Sequence, residues 1–398
     1  MKTILFVSHD ANRAGAQIVL LEVIKQLKQR GAAMHLLLGG GGPLEADFEK
    51  LLPMIKLPQP RNFFFGVRID KLLALLGILP FFQRRDANKQ RSLFEKNMAD
   101  AKIDLVFMNT VASSALFKEI EYLQKPVVLF AHELAMAVEI YTDPAQLAHT
   151  FRHTNRLLVV AQALADYYVQ VHAFLPKNVS IFTHIDTREM LVKIDNARKS
   201  NVRMRYNVPA GAILVGGCGN AELRKGNDLF LGLAKSVLKK YPENVYFMWV
   251  GLPKNTELHT VQAFDIAKMG LTDKIILVEP TSAVFDYTTQ FDIFALTSRE
   301  DPYPLVALEA ALNQTPIVCF EQSGGLPDLI AEDAGAVVAY ADVEAMSAVV
   351  QGWIENPKVR KALGKNAQNK VIERHDPTKS IDNLCAILAE VSGAKNIL

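Results

Sequence analysis

Residues 297–330 read TSREDPYPLVALEAALNQTPIVCFEQSGGLPDLI, and they decide the fold of the chain around them. The apolar run at 291–296 predicts a buried strand that ends where this stretch begins. Pro304 marks the opening of a helix, because proline is tolerated only in a helix's first turn. LVALEAAL continues that helix, and TPIVCF predicts the next buried strand. Gly324 and Gly325 indicate a tight loop after it.

The helix start in this stretch predicts a site for an anion. The free N–H groups of a first helical turn and the helix dipole both favour negative charge. Asp301 and Glu309 lie on either side of this helix start in the sequence. Carboxylates repel an anion but accept hydrogen bonds from hydroxyl groups. We therefore expect them to bind hydroxyl groups on the ligand that carries the anion. An anion together with hydroxyl groups suggests a nucleotide sugar.

Strands and helices alternate along the whole chain, which is typical of parallel α/β sheets. At 398 residues the chain is long enough for two domains. A polar, charged segment at 183–209 separates two series of strands. We therefore predict two domains, an N-terminal one over 1–187 and a C-terminal one over 188–378. A final helix and tail over 379–398 can return to the N-terminal domain.

Composition excludes several classes of protein. A formal net charge of +2 gives no reason to expect nucleic acid as a partner. The three cysteines lie far apart, without zinc or disulfide spacing, and predict buried thiols in a reducing cytosol. The first residues predict a β-strand rather than a signal peptide. No apolar stretch reaches the roughly 18–20 residues that span a bilayer. We expect a cytoplasmic protein.

One segment, residues 67–91, combines apolar and basic character. Its apolar run at 72–82 is flanked by the basic residues Arg68, Lys71, Arg84, Arg85, Lys89 and Arg91. Basic flanks around an apolar patch suit an anionic membrane interface. That interpretation would place the protein at the inner face of the cell membrane and favour a lipid-linked acceptor. The alternative is a core helix with solvated ends.

Polar residues follow two of the predicted N-terminal strands. Asn109 and Thr110 end one strand, and His132 and Glu133 end the next. Ligands of open α/β sheets bind beyond the carboxyl ends of the strands, so these residues are candidates for one shared cleft. Gly15, between the first strand and the first helix, would let a diphosphate or an acceptor approach the backbone, unless it serves an ordinary tight turn.

Taken together, these segments resemble the GT-B retaining glycosyltransferases of group 1 (family 4), whose motif is Glu, seven residues and Glu. Here the motif reads DPYPLVALE, with Asp301 in place of the first Glu and Glu309 at the second. GGLPD, which contains Asp328, and RKGNDLF, which contains Lys225 and Gly226, are similar to two further family segments. AHEL is similar to a His-containing strand end of the family. The resemblance implies an α/β fold of two Rossmann-like domains facing each other across a cleft. It also implies that the N-terminal domain binds the acceptor and the C-terminal domain binds the nucleotide sugar.

The resemblance also implies a role for each candidate residue. His132, Lys225 and Asp301 would be the catalytic group, with Asp301 on the sugar and His132 reaching it from the opposite domain. Lys225, with Arg224, would neutralise charge on the departing nucleoside diphosphate. Glu309 would bind the ribose hydroxyls. The diphosphate would meet the backbone of the helix start, at Tyr303, Pro304, Leu305 and Val306.

The activity that the resemblance implies is a retaining transfer, independent of metal and of any further cofactor. The sugar would pass from a nucleotide-diphosphate sugar to a glycan or lipid-linked acceptor, in the synthesis of cell-surface polysaccharide or glycolipid. One alternative is another GT-B activity, a sugar-nucleotide epimerase. Asp301 and the lack of the family's usual Arg after the strand-end glycine suggest a second alternative, a catalytically weak sugar-nucleotide-binding protein. Taken singly, Lys225 is also compatible with a surface lysine, and Asp301 with a helix cap.

Overall fold

The computed structural model describes residues 2–58, 67–331 and 333–397, and of residues 67–70 it describes the backbone alone. The chain folds into two compact units. The first unit consists of Met1–Ala131, Val138–Leu158 and Ile381–Leu398. The second unit consists of His132–Ala137 and Val159–Ser380. Each unit is described separately below.

The first parallel sheet is built from β1 (Thr3–Ser8), β2 (Ala33–Leu38), β3 (Met54–Lys56), β4 (Leu105–Asn109), β5 (Val127–Ala131), β6 (Arg156–Val159) and β7 (Val179–Ile181). These strands lie in the order β3-β2-β1-β4-β5-β6-β7. The helices in this part of the chain are α1 (Gly15–Gln29), α2 (Glu45–Glu49), α3 (Val67–Leu75), α4 (Leu79–Asp100), α5 (Ala135–Tyr141), α6 (Pro144–His153) and α7 (Gln162–His172). Three short 3₁₀ helices cover Val111–Glu119, Glu121–Leu123 and Pro176–Asn178.

β1 is the central strand of this sheet. Its residues 4–7 are all apolar and fully buried, as expected for a strand that is covered on both faces. It pairs in parallel with β2 on one side and β4 on the other. The chain therefore leaves β1 toward one edge and later returns to its other side. This is a topological switch point, where open α/β sheets bind ligands beyond the carboxyl ends of their strands.

The second sheet, with its helices, occupies the second unit. Its strands are β8 (Ile213–Cys218), β9 (Val245–Val250), β10 (Ile275–Val278), β11 (Ile293–Leu296), β12 (Ile317–Phe320) and β13 (Gly335–Val338). They lie in the order β10-β9-β8-β11-β12-β13, and every neighbouring pair is parallel. Its helices are α8 (Thr187–Ala197), α9 (Val202–Arg205), α10 (Asn227–Lys240), α11 (Glu257–Lys268), α12 (Val284–Thr288), α13 (Leu305–Leu312), α14 (Leu326–Ile330), α15 (Val343–Glu355) and α16 (Pro357–Arg374). The last helix, α17 (Pro377–Ser392), begins in the second unit and continues into the first.

Helices cover both faces of the second sheet. Side chains alternate along a strand, so Leu214 of β8 joins one buried cluster and Val215 joins the other. The segment 183–209, predicted to be a polar separator, is instead folded into α8 and α9. Ile194 and Val202 of these helices are buried in the same core as Leu308 of α13. The prediction missed this because few apolar residues are enough to fix an amphipathic helix.

The basic and apolar segment 67–91 forms α3 and the first half of α4, joined by a turn at Gly77, whose φ is +70°. Leu75 is 85% exposed and Phe81 is 61% exposed. The core-helix interpretation is therefore wrong for the side chains that the structure describes, which begin at Lys71. Among the described residues, no helix has both the length and the apolarity needed to cross a membrane.

Candidate functional site

Lys225 and Asp301 form an ion pair at the carboxyl edge of the second sheet. Lys225 ends a 3₁₀ turn (Leu223–Lys225) between β8 and α10, and Asp301 lies between β11 and α13. The Lys225 Nζ atom is 2.7 Å from Asp301 Oδ2, and the two side chains are 17% and 7% exposed. Gly226 allows this approach. Its φ is +69°, and a Cβ there would lie 1.8 Å from the carbonyl oxygen of Thr297.

Further bonds hold the Asp301 loop in place. The Ser298 hydroxyl donates to Asp301 Oδ2 at 3.3 Å, and the Asp301 N–H donates to the Ser323 carbonyl at 2.6 Å. α13 begins after Pro304 without a side-chain cap. Asp301 is therefore not a helix cap, and Lys225, buried against it, is not a plain surface lysine. Both of these alternative interpretations are wrong.

α13 presents its first turn and one carboxyl group beside this pair. The leading N–H groups of a helix have no acceptor within the helix, and here they belong to Leu305 and Val306. One turn further along, Glu309 Oε2 is buried and has no hydrogen-bond partner among the described residues. Burial raises the pKa of Glu309 to about 8, against an opposing effect from the Lys193 charge. At neutral pH this carboxyl is therefore largely protonated.

Cys218, the last residue of β8, shows that these groups converge. Burial raises the pKa of its thiol to about 12, and the charges of Glu309, Lys225 and Asp301 all act on it. Lys225 and the two acidic residues of the 297–330 stretch therefore lie within electrostatic range of one strand end. Cys218 itself stays a protonated thiol at neutral pH.

The Arg224 guanidinium is hydrogen-bonded to two glutamate residues. It donates to the Glu300 carbonyl at 2.8 Å and to Glu222 Oε2 at 3.0 Å. The Glu300 side chain, which the sequence analysis missed, accepts from the N–H groups of Met136 at 2.9 Å and Ala137 at 3.0 Å. The only signal for Glu300 in the sequence was its position beside Asp301.

His132 belongs by its contacts to the second unit, together with Lys225, Asp301 and Glu309. Loss of water around its imidazole lowers the pKa of His132 to about 3, so the ring is neutral near pH 7. The backbone N–H of His132 donates to Glu133 Oε2 at 2.9 Å. The Glu300 bonds attach the segment that follows His132 to the loop that carries Asp301.

Tyr303, predicted to contribute only its backbone, has a buried partner that the sequence analysis also missed. Its hydroxyl lies 2.8 Å from His375 Nε2, and His375 Nδ1 lies 3.4 Å from the Thr183 hydroxyl. Burial raises the pKa of Tyr303 and lowers that of His375 to about 4. Both groups are therefore neutral near pH 7, and their hydrogen bond anchors the loop in front of α13.

A second polar group lies in the first unit, at the switch point between β1 and β4. The Thr110 hydroxyl lies 3.0 Å from His9 Nδ1, and Thr110 has a φ of +68°, which is strained for a β-branched residue. Gln17 donates to Asp10 at 2.7 Å, while its buried Oε1 has no partner among the described residues. Gly15 is the first residue of α1. Of this group, the sequence analysis had named only Thr110 and Gly15.

Comparison with known proteins finds a family likeness in the second half of the chain. Residues 199–370 match the family described as glycosyl transferases group 1. The match covers less than half of the 398 residues. The lipopolysaccharide core biosynthesis mannosyltransferase LpcC of Rhizobium leguminosarum bv. viciae is 26% identical over 165 residues, which cover 40% of this chain and 46% of that protein. The corresponding mannosyltransferase LpsB of Rhizobium meliloti (strain 1021) is 24% identical over 265 residues, which cover 63% of this chain and 73% of that protein. The match therefore spans less than half the length of LpcC.

A solved structure extends the likeness across both units. HepE of Anabaena, crystallised with UDP and glucose, is 17% identical and superposes with a TM-score of 0.77. The match covers 98% of this chain and 100% of that chain. At this level of identity the likeness shows the fold. The predicted GT-B fold, with its two parallel α/β sheets, is confirmed.

Proposed function

We propose that this protein is a glycosyltransferase that moves a sugar from a nucleotide-diphosphate sugar to a glycan or lipid-linked acceptor. The observation that carries the proposal is the Lys225–Asp301 pair beside Glu309 at the uncapped start of α13. A preorganised cation stabilises charge that develops on a leaving group in a site with little water. Lys225 supplies that cation for the departing diphosphate, and the first turn of α13 supplies backbone donors.

The donor would exchange partners with this ion pair on binding. Lys225 is held by Asp301 at 2.7 Å, and a diphosphate carries more negative charge than one carboxylate. Lys225 would therefore turn toward the diphosphate and free Asp301 to accept hydrogen bonds from the hydroxyls of the transferred sugar. Glu309 Oε2, which lacks a donor among the described residues, would accept from the ribose. Arg224 and the backbone of Tyr303 and its neighbours would complete the donor site.

The family and this geometry support a retaining reaction that requires no metal ion. In our proposal the departing phosphate assists the attacking acceptor on the same face of the sugar, so the enzyme needs no nucleophile. Lys225 takes the place that a metal would have at the leaving group. Proton NMR of the first product gives the anomeric configuration, and inversion would refute retention. An unchanged rate in EDTA is expected, and loss of activity that Mg²⁺ or Mn²⁺ restores would refute metal independence.

The acceptor would bind at the switch point of the first sheet. His9, Thr110 and the bare Oε1 of Gln17 offer hydrogen-bond partners for sugar hydroxyls there, and Gly15 leaves the start of α1 open to them. Because LpcC and LpsB are named for lipopolysaccharide core biosynthesis, we propose a role in cell-surface polysaccharide or glycolipid synthesis. His9→Ala should raise the KM for the acceptor and leave donor affinity unchanged.

The decisive experiment combines a binding screen with a transfer assay. Thermal shift is measured with UDP, GDP and ADP, because a ligand at 100 times its Kd stabilises a protein by about 2.7 kcal/mol. Transfer is then measured with the corresponding sugars. We expect one nucleotide to bind, and Glu309→Ala and Lys225→Ala to abolish its effect and the turnover. Unchanged turnover in these variants would refute the site. Binding without transfer to any acceptor would favour a sugar-nucleotide-binding protein, and a changed donor sugar would indicate an epimerase.

We also propose that α3 and α4 dock on the anionic inner face of the cell membrane. Five large apolar side chains are exposed between Lys71 and Arg91, namely Leu72, Leu75, Leu76, Ile78 and Phe81. They lie among the exposed cations Lys71, Arg84, Arg85 and Lys89. Apolar side chains beside basic ones bind anionic lipid through burial and charge together. A lipid-linked acceptor would be met at the same surface.

Vesicle co-sedimentation tests this surface. Leu75→Glu with Phe81→Glu should abolish binding to vesicles that contain phosphatidylglycerol. Phe264→Glu provides a matched control, because Phe264 on α11 is 61% exposed, as is Phe81. Vesicles of phosphatidylcholine alone should bind weakly. Equal binding of the double variant and the wild type would refute the proposal.

A further inference from the structure

Glu300 caps a helix from a distant part of the chain. Its two carboxylate oxygens accept from the N–H groups of Met136 and Ala137 at 2.9 and 3.0 Å. These are the second and third residues of α5, whose N–H groups a capping side chain normally holds. The residue before α5 is Leu134, which has no side-chain acceptor. Glu300 supplies the missing cap and places negative charge at the positive end of the helix dipole.

The backbone of Glu300 connects to the ion pair of the candidate site. Its carbonyl accepts from Arg224 at 2.8 Å, and Arg224 directly precedes Lys225. Its next neighbour in the chain is Asp301, which binds Lys225 at 2.7 Å. One residue thus joins the segment that follows His132 to both members of the pair.

The geometry limits what this carboxylate can do in the reaction. Both of its oxygens accept from backbone donors of α5, and these two bonds fix the orientation of the carboxylate. Tyr168 holds the same segment at another point, since its hydroxyl donates to the Glu133 carbonyl at 3.0 Å. The segment 132–137 is therefore fixed at two points, and Glu300 is the point nearest the ion pair in the chain.

We propose that Glu300 is a positioning residue for the transfer reaction. By holding the start of α5 it sets the place of His132 relative to Lys225 and Asp301, so that His132 meets the sugar of the bound donor. This inference rests on the proposed glycosyltransferase function. Glu300 does not touch the substrate. It acts through His132.

Two substitutions at Glu300 separate positioning from folding. Glu300→Ala removes both bonds, and Glu300→Gln keeps the shape and one acceptor oxygen while removing the charge. A misplacement of about 1 Å costs about a hundred-fold in rate, so we expect kcat to fall by about ten- to a hundred-fold in Glu300→Ala. Glu300→Gln should be intermediate. The Kd for the nucleoside diphosphate should stay within about two-fold, because Lys225 and Glu309 remain.

A double-mutant cycle with His132→Ala tests the route of the effect. If Glu300 acts through His132, then Glu300→Ala should cost little further activity in the His132→Ala background. Losses that multiply would refute the proposal, as would a kcat of Glu300→Ala within two-fold of the wild type. Glu243→Ala is the control. Glu243 is exposed and precedes β9, at the opposite edge of the sheet from the site, so its kcat should be unchanged.

Hydrogen exchange keeps the inference testable even if no transfer is found. The amides of Met136 and Ala137 should exchange faster in Glu300→Ala, while those of α10 keep their protection. If the wild type transfers no sugar, the proposed function fails. Unchanged exchange at these two amides in Glu300→Ala would separately refute the proposal that Glu300 holds the start of α5. If the wild type is active and Glu300→Ala matches it, the function stands and the inference fails.

Discussion

Replacing Glu309 by Gln should stabilise the protein, and the gain should grow with pH. The pKa of this carboxyl is raised by burial from its ordinary value of 4.5 to about 8. Between these two values the folded protein holds a proton that the unfolded chain releases, so stability falls as pH rises. Gln has a similar shape and does not titrate. It therefore avoids this loss.

The size of the effect follows from the pKa difference. One pKa unit corresponds to 1.36 kcal/mol. The folded state keeps Glu309 protonated at pH values where the unfolded chain ionises it. This lowers the unfolding free energy of the wild type by about 3 kcal/mol at pH 7 and by about 1 kcal/mol at pH 5. Glu309→Gln should exceed the wild type by these amounts. Below pH 4.5 the difference should vanish, since Glu309 is then protonated in both states.

Urea unfolding followed by tryptophan fluorescence measures this difference. Both tryptophans of the chain, Trp249 and Trp353, lie in the second unit with Glu309, so the signal reports the right part of the molecule. The exposed Glu243 serves as the control, and Glu243→Gln should show no pH-dependent gain. A stability difference between Glu309→Gln and the wild type that is the same at pH 5 and pH 7, or that favours the wild type, would refute the reasoning.

Two further substitutions test how the site is held together. Lys225→Met leaves Asp301 buried without its cation and should lower the unfolding free energy by about 3 kcal/mol, and adding Asp301→Asn should restore most of that loss in the same urea assay. Gly226→Ala should lower the melting temperature, because its Cβ would lie 1.8 Å from the Thr297 carbonyl at a φ of +69°. In Gly232→Ala, the matched control on α10, the new Cβ has its nearest neighbour at 3.6 Å, and we expect a gain of up to about 1 kcal/mol. A Gly226 variant as stable as the Gly232 variant would contradict the clash.

The sequence predicted the part of the site that is encoded locally. Asp301 and Glu309 are separated by one loop and one helical turn, and Pro304 fixes where that helix begins. Their mutual placement therefore needs little tertiary information. Lys225 was found because RKGNDLF resembles a family segment in which a lysine and a glycine precede a helix. The structure adds that Gly226 has a positive φ there.

The missed residues depend on which distant segments the fold brings together. Glu300 bonds to Met136, 164 residues away, and Tyr303 bonds to His375, 72 residues away. No spacing rule connects such pairs, because strand order and register decide them. For the segment 67–91 a local signal existed and was missed. Gly77 interrupts the apolar run, and a left-handed glycine is a frequent helix terminator.

Unpaired buried polar atoms and a strained backbone conformation lie where the ligands are proposed to bind. In the second unit, Glu309 carries a buried oxygen without a donor beside the end of β8. In the first unit, Gln17 carries another, near the strained Thr110 at the end of β4. Local features that lower the stability of a protein are found mainly at functional sites. A ligand that donates a hydrogen bond to Glu309 would give this buried oxygen a partner. Binding should therefore raise the free energy of unfolding by more than the ligand's contacts with the backbone of α13 contribute alone.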